Sequence, residues 1–89
     1  MKLKFEKSFK KDLEKIEDKG ALKKVKETIE MLEKVDSISE FHGDLKRLKG
    51  DKRYWRIRIG EYRIGLEIDR NTVIFVRILH RRDIYRYFP

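Results

Sequence analysis

The sequence predicts an α+β fold: an N-terminal strand, an antiparallel two-helix hairpin, and a three-stranded antiparallel meander that completes one sheet. Three observations carry that prediction. Apolar residues recur at helical spacing from Phe9 to Leu32. The period drops to two after Arg53 and stays there to His80. A glycine-led pair, Gly60-Glu61, and a polar run, Asp69-Arg70-Asn71-Thr72, break that last stretch into strands. At 89 residues the chain can close one modest core, so a single domain over 1–89 is expected.

The elements follow in order. Lys2 to Glu6 alternates polar and apolar residues, as a half-buried strand does. Ser8 is placed to cap a first helix carrying Phe9, Leu13 and Ile16, and Lys19-Gly20 is read as its stop. A second helix runs from about Ala21 to Val35 with Leu22, Val25, Ile29 and Leu32 as its apolar stripe. Residues 36–53 are the least regular, with a short strand at Leu45 to Leu48. Three strands follow at Tyr54–Ile59, Tyr62–Ile68 and Val73–His80, and the tail from Arg81 to Pro89 is basic and aromatic.

Composition narrows the function. Lys and Arg number 24 against 16 Asp and Glu, a formal net charge of +8, which points to a polyanionic partner and to nucleic acid first. Without cysteine there is no disulfide and no thiolate zinc site. With only His42 and His80 besides, neither a metal site nor a cofactor is expected. The charged N-terminus lacks the apolar run of a signal peptide, and no window has the roughly 20 apolar residues of a membrane span. A cytoplasmic protein with no membrane partner is therefore expected.

The stretch from Tyr54 to Gly65 carries the most chemistry. Glycine at the first position of the Gly60-Glu61 loop suits a type II′ turn, which sets Ile59 opposite Tyr62, Arg58 opposite Arg63, Ile57 opposite Ile64 and Arg56 opposite Gly65. One face then holds Trp55, Ile57, Ile59, Tyr62, Ile64, Leu66 and Ile68 and must cover the helices. The other holds Tyr54, Arg56, Arg58, Arg63, Gly65 and Glu67. Like charges opposite one another repel, so a sheet selected only for stability avoids Arg58 across from Arg63. Guanidinium matches phosphate through two parallel hydrogen bonds, and Gly65 would leave a ligand room. Pairing Ile68 with Val73 places His80, Ile74, Val76 and Ile78 on the basic face and Arg77 on the helix-covered one. Cations for the backbone and rings for unpaired bases suit RNA. The candidate RNA-contacting residues are Tyr54, Arg82, Tyr87, Lys49, Lys52 and Arg53, around a centre of Arg56, Arg58, Arg63, Arg81, His80 and Tyr85.

These residues resemble the RelE/ParE superfamily of type II toxins. The likeness is carried by Leu48-Lys49-Gly50, by Tyr54 through Arg63, and by the run from Val76 to Tyr85 that closes with His80-Arg81-Arg82-Asp83-Ile84-Tyr85. It implies a RelE-like fold and a ribosome-dependent mRNA endoribonuclease. In that reaction the ribose 2′-hydroxyl attacks the adjacent phosphate without metal and the 5′-oxygen leaves. It also implies a partly disordered, amphipathic antitoxin that silences the toxin in a hetero-oligomer, with ribosome and mRNA as further partners. By the resemblance Arg56 and Arg58 act on the 2′-hydroxyl and backbone, and Arg63 clamps the transition-state phosphate. Arg81 serves the leaving group, and Tyr85 stacks on the substrate. Studied members carry lysine on the basic strand, whereas arginine, with a pKa above about 12, is a stabiliser and not a base. The proton acceptor is left between His80, with an ordinary pKa of about 6.5, and Glu67. A gyrase-poisoning toxin of the ParE sort, and a catalytically silent RNA-binding module of the same fold, are the alternatives.

Overall fold

Side chains that alternate across a pleated strand give a sheet two chemically distinct faces, and here that sheet organises the molecule. A computed structural model describes residues Met1–Pro89. Its strands are β1 (Lys2–Phe5), β2 (Leu45–Arg47), β3 (Tyr54–Ile59), β4 (Tyr62–Asp69) and β5 (Thr72–His80), in spatial order β1-β5-β4-β3-β2. Strands β3 to β5 form the expected antiparallel meander. Strand β2 joins it antiparallel to β3, and β1 lies parallel to β5 at the other edge. Helices α1 (Lys7–Glu14) and α2 (Lys19–Lys34) connect β1 to β2, a 3-10 turn spans Ile38–Glu40, and a short helix α3 (Ile84–Tyr87) closes the chain.

The apolar hairpin face lies against the helices as its register requires. Ile57, Ile59, Ile64 and Leu66 are buried with Phe9, Ile16, Val25 and Leu32, and Trp55, Tyr62 and Ile68 pack at the rim. Phe75 stacks on Phe5 with ring centroids 4.8 Å apart and tilts against Phe9 at 5.3 Å, so β1, α1 and β5 share one aromatic cluster. Each such side chain, once buried, contributes about 1.5–3 kcal/mol.

The helix boundaries differ from the expectation. Helix α1 ends at Glu14, and Asp18 caps α2 by accepting the Ala21 N–H at 3.1 Å, so Lys19-Gly20 begins a helix instead of ending one. The carboxylate satisfies one of the orphan donors at the helix start, and that decides the boundary over the glycine. Ser8 is not a cap either. It lies inside α1 and donates its hydroxyl to the Val76 carbonyl at 2.6 Å. Beyond Phe75 the outer edge of β5 has lost β1 as a partner, and α1 supplies the missing polar contacts. There the Asp12 carboxylate accepts the Ile78 N–H at 3.1 Å and the Arg77 guanidinium at 2.7 and 3.0 Å.

One bulge reverses the expected faces of late β5. Ile68 pairs with Val73 and Leu66 with Phe75, but Gly65 pairs with Arg77, leaving Val76 as the extra residue. One residue of slip exchanges the faces of everything that follows. Ile78, opposite Ile64, therefore goes into the core, where it is 1% exposed, and Arg77 aligns with Gly65 on the basic face. His80 pairs with Tyr62, on the side of the helices. The sequence-based placement of Ile78, Arg77 and His80 is corrected on all three counts.

Candidate nucleic-acid interface

The hairpin that carries the arginines forms in the expected register. Gly60 has φ of +54°, in the left-handed region that a residue with Cβ rarely enters. Arg58 pairs with Arg63, and Arg56 with Gly65. Strand β2 extends the second of these rows by setting Lys46 opposite Arg56. One sheet face thus carries the row Lys46–Arg56–Gly65–Arg77 beside the row Arg58–Arg63–Leu79.

These cations are not equivalent. Arg77 is neutralised by Asp12, and Arg81 by Glu61 at 3.0 Å. Arg56 donates to the Asp44 carboxylate and to the Asp44 carbonyl, both at 3.0 Å. That hydrogen bond first, and then the charges of Arg56, Arg58 and Arg63, hold the Asp44 carboxyl below its ordinary value of 3.8. Arg58 and Arg63 have no carboxylate within salt-bridge distance. Arg58 is exposed, whereas Arg63 is only 9% exposed and donates to the carbonyls of Gly60 at 2.8 Å and Tyr62 at 2.9 Å. Burial is the main cause that pushes the Arg63 pKa down, followed by the charges of Arg58 and Arg56, with Arg81 acting the same way and Tyr85 opposing. A guanidinium so placed remains charged at neutral pH. It is a cation without a carboxylate partner, and a phosphate oxygen would offset its repulsion with Arg58 through charge-assisted hydrogen bonds.

The tail brings its own groups to this face. Ile84 and Phe88, one helical turn apart, are buried beneath α3, while Tyr85 is 61% exposed. Tyr85 and Phe88 face Lys46, Arg47 and Lys49 across an open cleft of about 400 Å³. Tyr87 turns the other way, with the Arg77 guanidinium 5.8 Å from its ring centre. The room at Gly65 that sequence reasoning assigned to a ligand is taken by Phe88, whose ring also meets Tyr54 edge-on at 5.5 Å.

Of the expected site residues, the fold therefore gathers Arg56, Arg58, Arg63, Arg81 and Tyr85. His80 shares the Glu61 carboxylate with Arg81 but lies on the opposite sheet face from Arg56, Arg58 and Arg63. Its ring lies edge-on to Tyr62 at 6.1 Å, its Nε2 is 3.7 Å from Glu61, and its Nδ1 accepts both the backbone N–H and the Nε–H of Arg82 at 3.2 Å. Lys49, Lys52 and Arg53 lie in the exposed β2–β3 connection. There Arg53 binds Asp51 at 2.8 Å, a hydrogen bond that lowers the Asp51 pKa to about 2, and stands 5.5 Å over the Tyr54 ring. Glu67, the other proposed proton acceptor, is 3.8 Å from Arg53 at the far end of the face. Sequence reasoning missed Asp44 and Lys46. Only the pairing of β2 with β3 brings them to the arginines, although the alternation of Leu45-Lys46-Arg47 was a faint signal.

Comparison with known proteins decides the family. The family model for the ParE toxin of the type II toxin-antitoxin system parDE matches residues 3–85. Toxin RelE3 of Methanocaldococcus jannaschii is 44% identical over 89 residues, all of both chains. The chain belongs to the RelE/ParE superfamily of type II toxins. In structure it is similar to a chain of the RelB-RelE antitoxin-toxin complex from Methanococcus jannaschii, with a TM-score of 0.83 and 42% identity over 97% of this chain and 99% of that one. The RelE-RelB complex from Pyrococcus horikoshii matches with a TM-score of 0.71 at 21% identity, covering 90% and 93% of the two chains, a likeness of fold. No helix of this RelE-family chain is long and apolar enough to cross a membrane.

Proposed function

We propose that this RelE-family toxin is a ribosome-dependent mRNA endoribonuclease acting in the cytoplasm as a single domain. The observation that carries this reading is the uncompensated Arg58–Arg63 pair, with Arg81 held at the hairpin loop by Glu61 and Tyr85 exposed beside Lys46 and Lys49. In the proposed reaction the ribose 2′-hydroxyl gives its proton to the acceptor and attacks the adjacent phosphorus, a 2′,3′-cyclic phosphate forms as the P–O5′ bond breaks, and the 5′-oxygen takes a proton from water. Arg63 and Arg58 stabilise the charge that grows on the non-bridging oxygens, a task that guanidinium performs without metal. Arg81, exposed and held only by Glu61, neutralises the leaving oxygen. Tyr85 stacks on the base next to the cut. Lys49, Lys52, Arg53, Arg82 and Tyr54 bind the flanking strand, while Tyr87, turned toward Arg77, sits at its margin.

For the proton acceptor the reading favours Asp44 over His80. Asp44 is hydrogen-bonded to Arg56 among the arginines, whereas His80 stands beside Tyr62. Acting as a weak base held in place, Asp44 depends on the ribosome to align the 2′-hydroxyl for in-line attack.

The partner in this reading is a cognate antitoxin, as in the RelB-RelE complexes that this chain resembles. An amphipathic, partly acidic segment that folds on binding suits the basic face. The test is expression. The chain alone should arrest growth and cut translated mRNA, and co-expression with the neighbouring small open reading frame should relieve both. Because the matching family model is that of ParE, gyrase poisoning without cutting is the second reading, and inhibited supercoiling with intact mRNA would establish it. RNA binding without toxicity would leave the silent module.

A further inference from the structure

Gly65 and Phe88 are 23 residues apart yet fit one another closely. A Cβ built on Gly65 would come within 2.6 to 2.8 Å of the Phe88 ring, a separation that real side chains essentially never show. Phe88 is 3% exposed. It rests in the one gap of the row Lys46–Arg56–Gly65–Arg77, with Tyr54 edge-on to it at 5.5 Å. Its backbone N–H donates to the Ile84 carbonyl at 2.8 Å, and Ile84 is fully buried one turn earlier. Two apolar anchors thus pin the last helical turn. Between them stands Tyr85, which is exposed and faces Lys46 and Lys49 across the cleft, and Arg81 lies just before them.

We propose that Phe88, seated on Gly65, is a positioning residue that holds Tyr85 at the basic face across from Lys46 and Lys49. The pair Gly65 and Phe88 touches no phosphate itself. Its action is to fix the segment after β5 as a wall of the basic face. The inference rests on the endoribonuclease reading for what the wall does, but the anchoring itself can be measured without it.

The experiment compares the full chain with Phe88→Ala, Gly65→Ala and Phe88→Leu. Limited trypsin digestion reads tail release through cleavage after Arg86, and cleavage of ribosome-bound mRNA gives kcat and KM separately. Phe88→Ala and Gly65→Ala should each speed cleavage after Arg86 by about tenfold or more. Each should also lower kcat about tenfold with KM changed by less than about threefold, as expected when catalytic groups lose their alignment. Phe88→Leu, still apolar and able to fill the site, should restore most of both. A tail that stays protected in Phe88→Ala overturns the proposal, as does a released tail with unchanged kcat. Gly65 lies in the sheet, and if Gly65→Ala fails to fold, Phe88→Ala alone decides the matter. If the parent chain cuts no RNA, the endoribonuclease reading fails. The digestion arm then decides the anchoring by itself, with tail release supporting it and continued protection overturning it.

Discussion

The two faces of the β3–β4 hairpin are built from alternate residues of one short stretch, and they obey opposite rules. On the helix side every contact lowers the free energy of the fold: Ile57, Ile64 and Leu66 are buried among Val25, Leu32 and Phe75. On the other side the sheet sets Arg58 against Arg63, a like-charge pairing that destabilises it, and Lys46 against Arg56, whose charge Asp44 offsets. A small protein with one core tolerates that cost only where the core face supplies the stability. The comparison teaches that stability and activity here are separable by face, although neighbouring residues carry them.

The largest expected effect lies on the core face. Phe75→Ala, at a fully buried site shared by β1, α1 and β5, should lose about 3–5 kcal/mol in denaturant unfolding. Its activity per folded molecule should be unchanged, and a fall in that activity would mean that the faces are coupled. Next comes Arg63→Ala, which should reduce mRNA cleavage about 10²–10³-fold while the chain stays folded. Cleavage equal to the parent's would remove the catalytic reading of that face.

Asp12→Ala tests the border between the faces. It strips the Ile78 N–H and Arg77 of their shared acceptor, and should cost about 1–3 kcal/mol in the same unfolding experiment. Arg58→Ala should run the other way. The chain becomes as stable or more stable, by up to about 1 kcal/mol, since a repulsion is removed. Binding to a single-stranded RNA should meanwhile lose about 0.7 from its slope of log affinity against log salt. Destabilisation by this substitution would mean that Arg58 has a structural partner.

The smallest effect concerns acid. Asp44 and Asp51 have folded-state pKa values below the ordinary 3.8, so the stability they lend is complete above that value. It disappears as pH falls through the folded values, which for Asp51 is about 2. Carboxyl chemical shifts followed from pH 5 to 2 should place both transitions below 3.8, and replacing Arg56 by Ala should move that of Asp44 upward.

Much of this was legible in local chemistry. A glycine at the first loop position determined the hairpin register, and register determined that Trp55, Ile57 and Ile59 face the core while Arg56, Arg58 and Arg63 do not. Alternation and turn residues act over a few positions, and so the order of elements and the family resemblance could be read from them. What the tertiary structure alone decided depends on distant segments. The bulge at Val76 moves His80 off the arginine face, because β5 must satisfy both β4 and the helix α1 along its edge. Asp44 and Lys46 join the site only through the pairing of β2 with β3, and Phe88 reaches Gly65 only through the return of the tail. The sequence by itself determined the hairpin's arginine pair. Which of the cations are left without an anion, and what stands beside them, was decided by packing between segments that no local pattern connects.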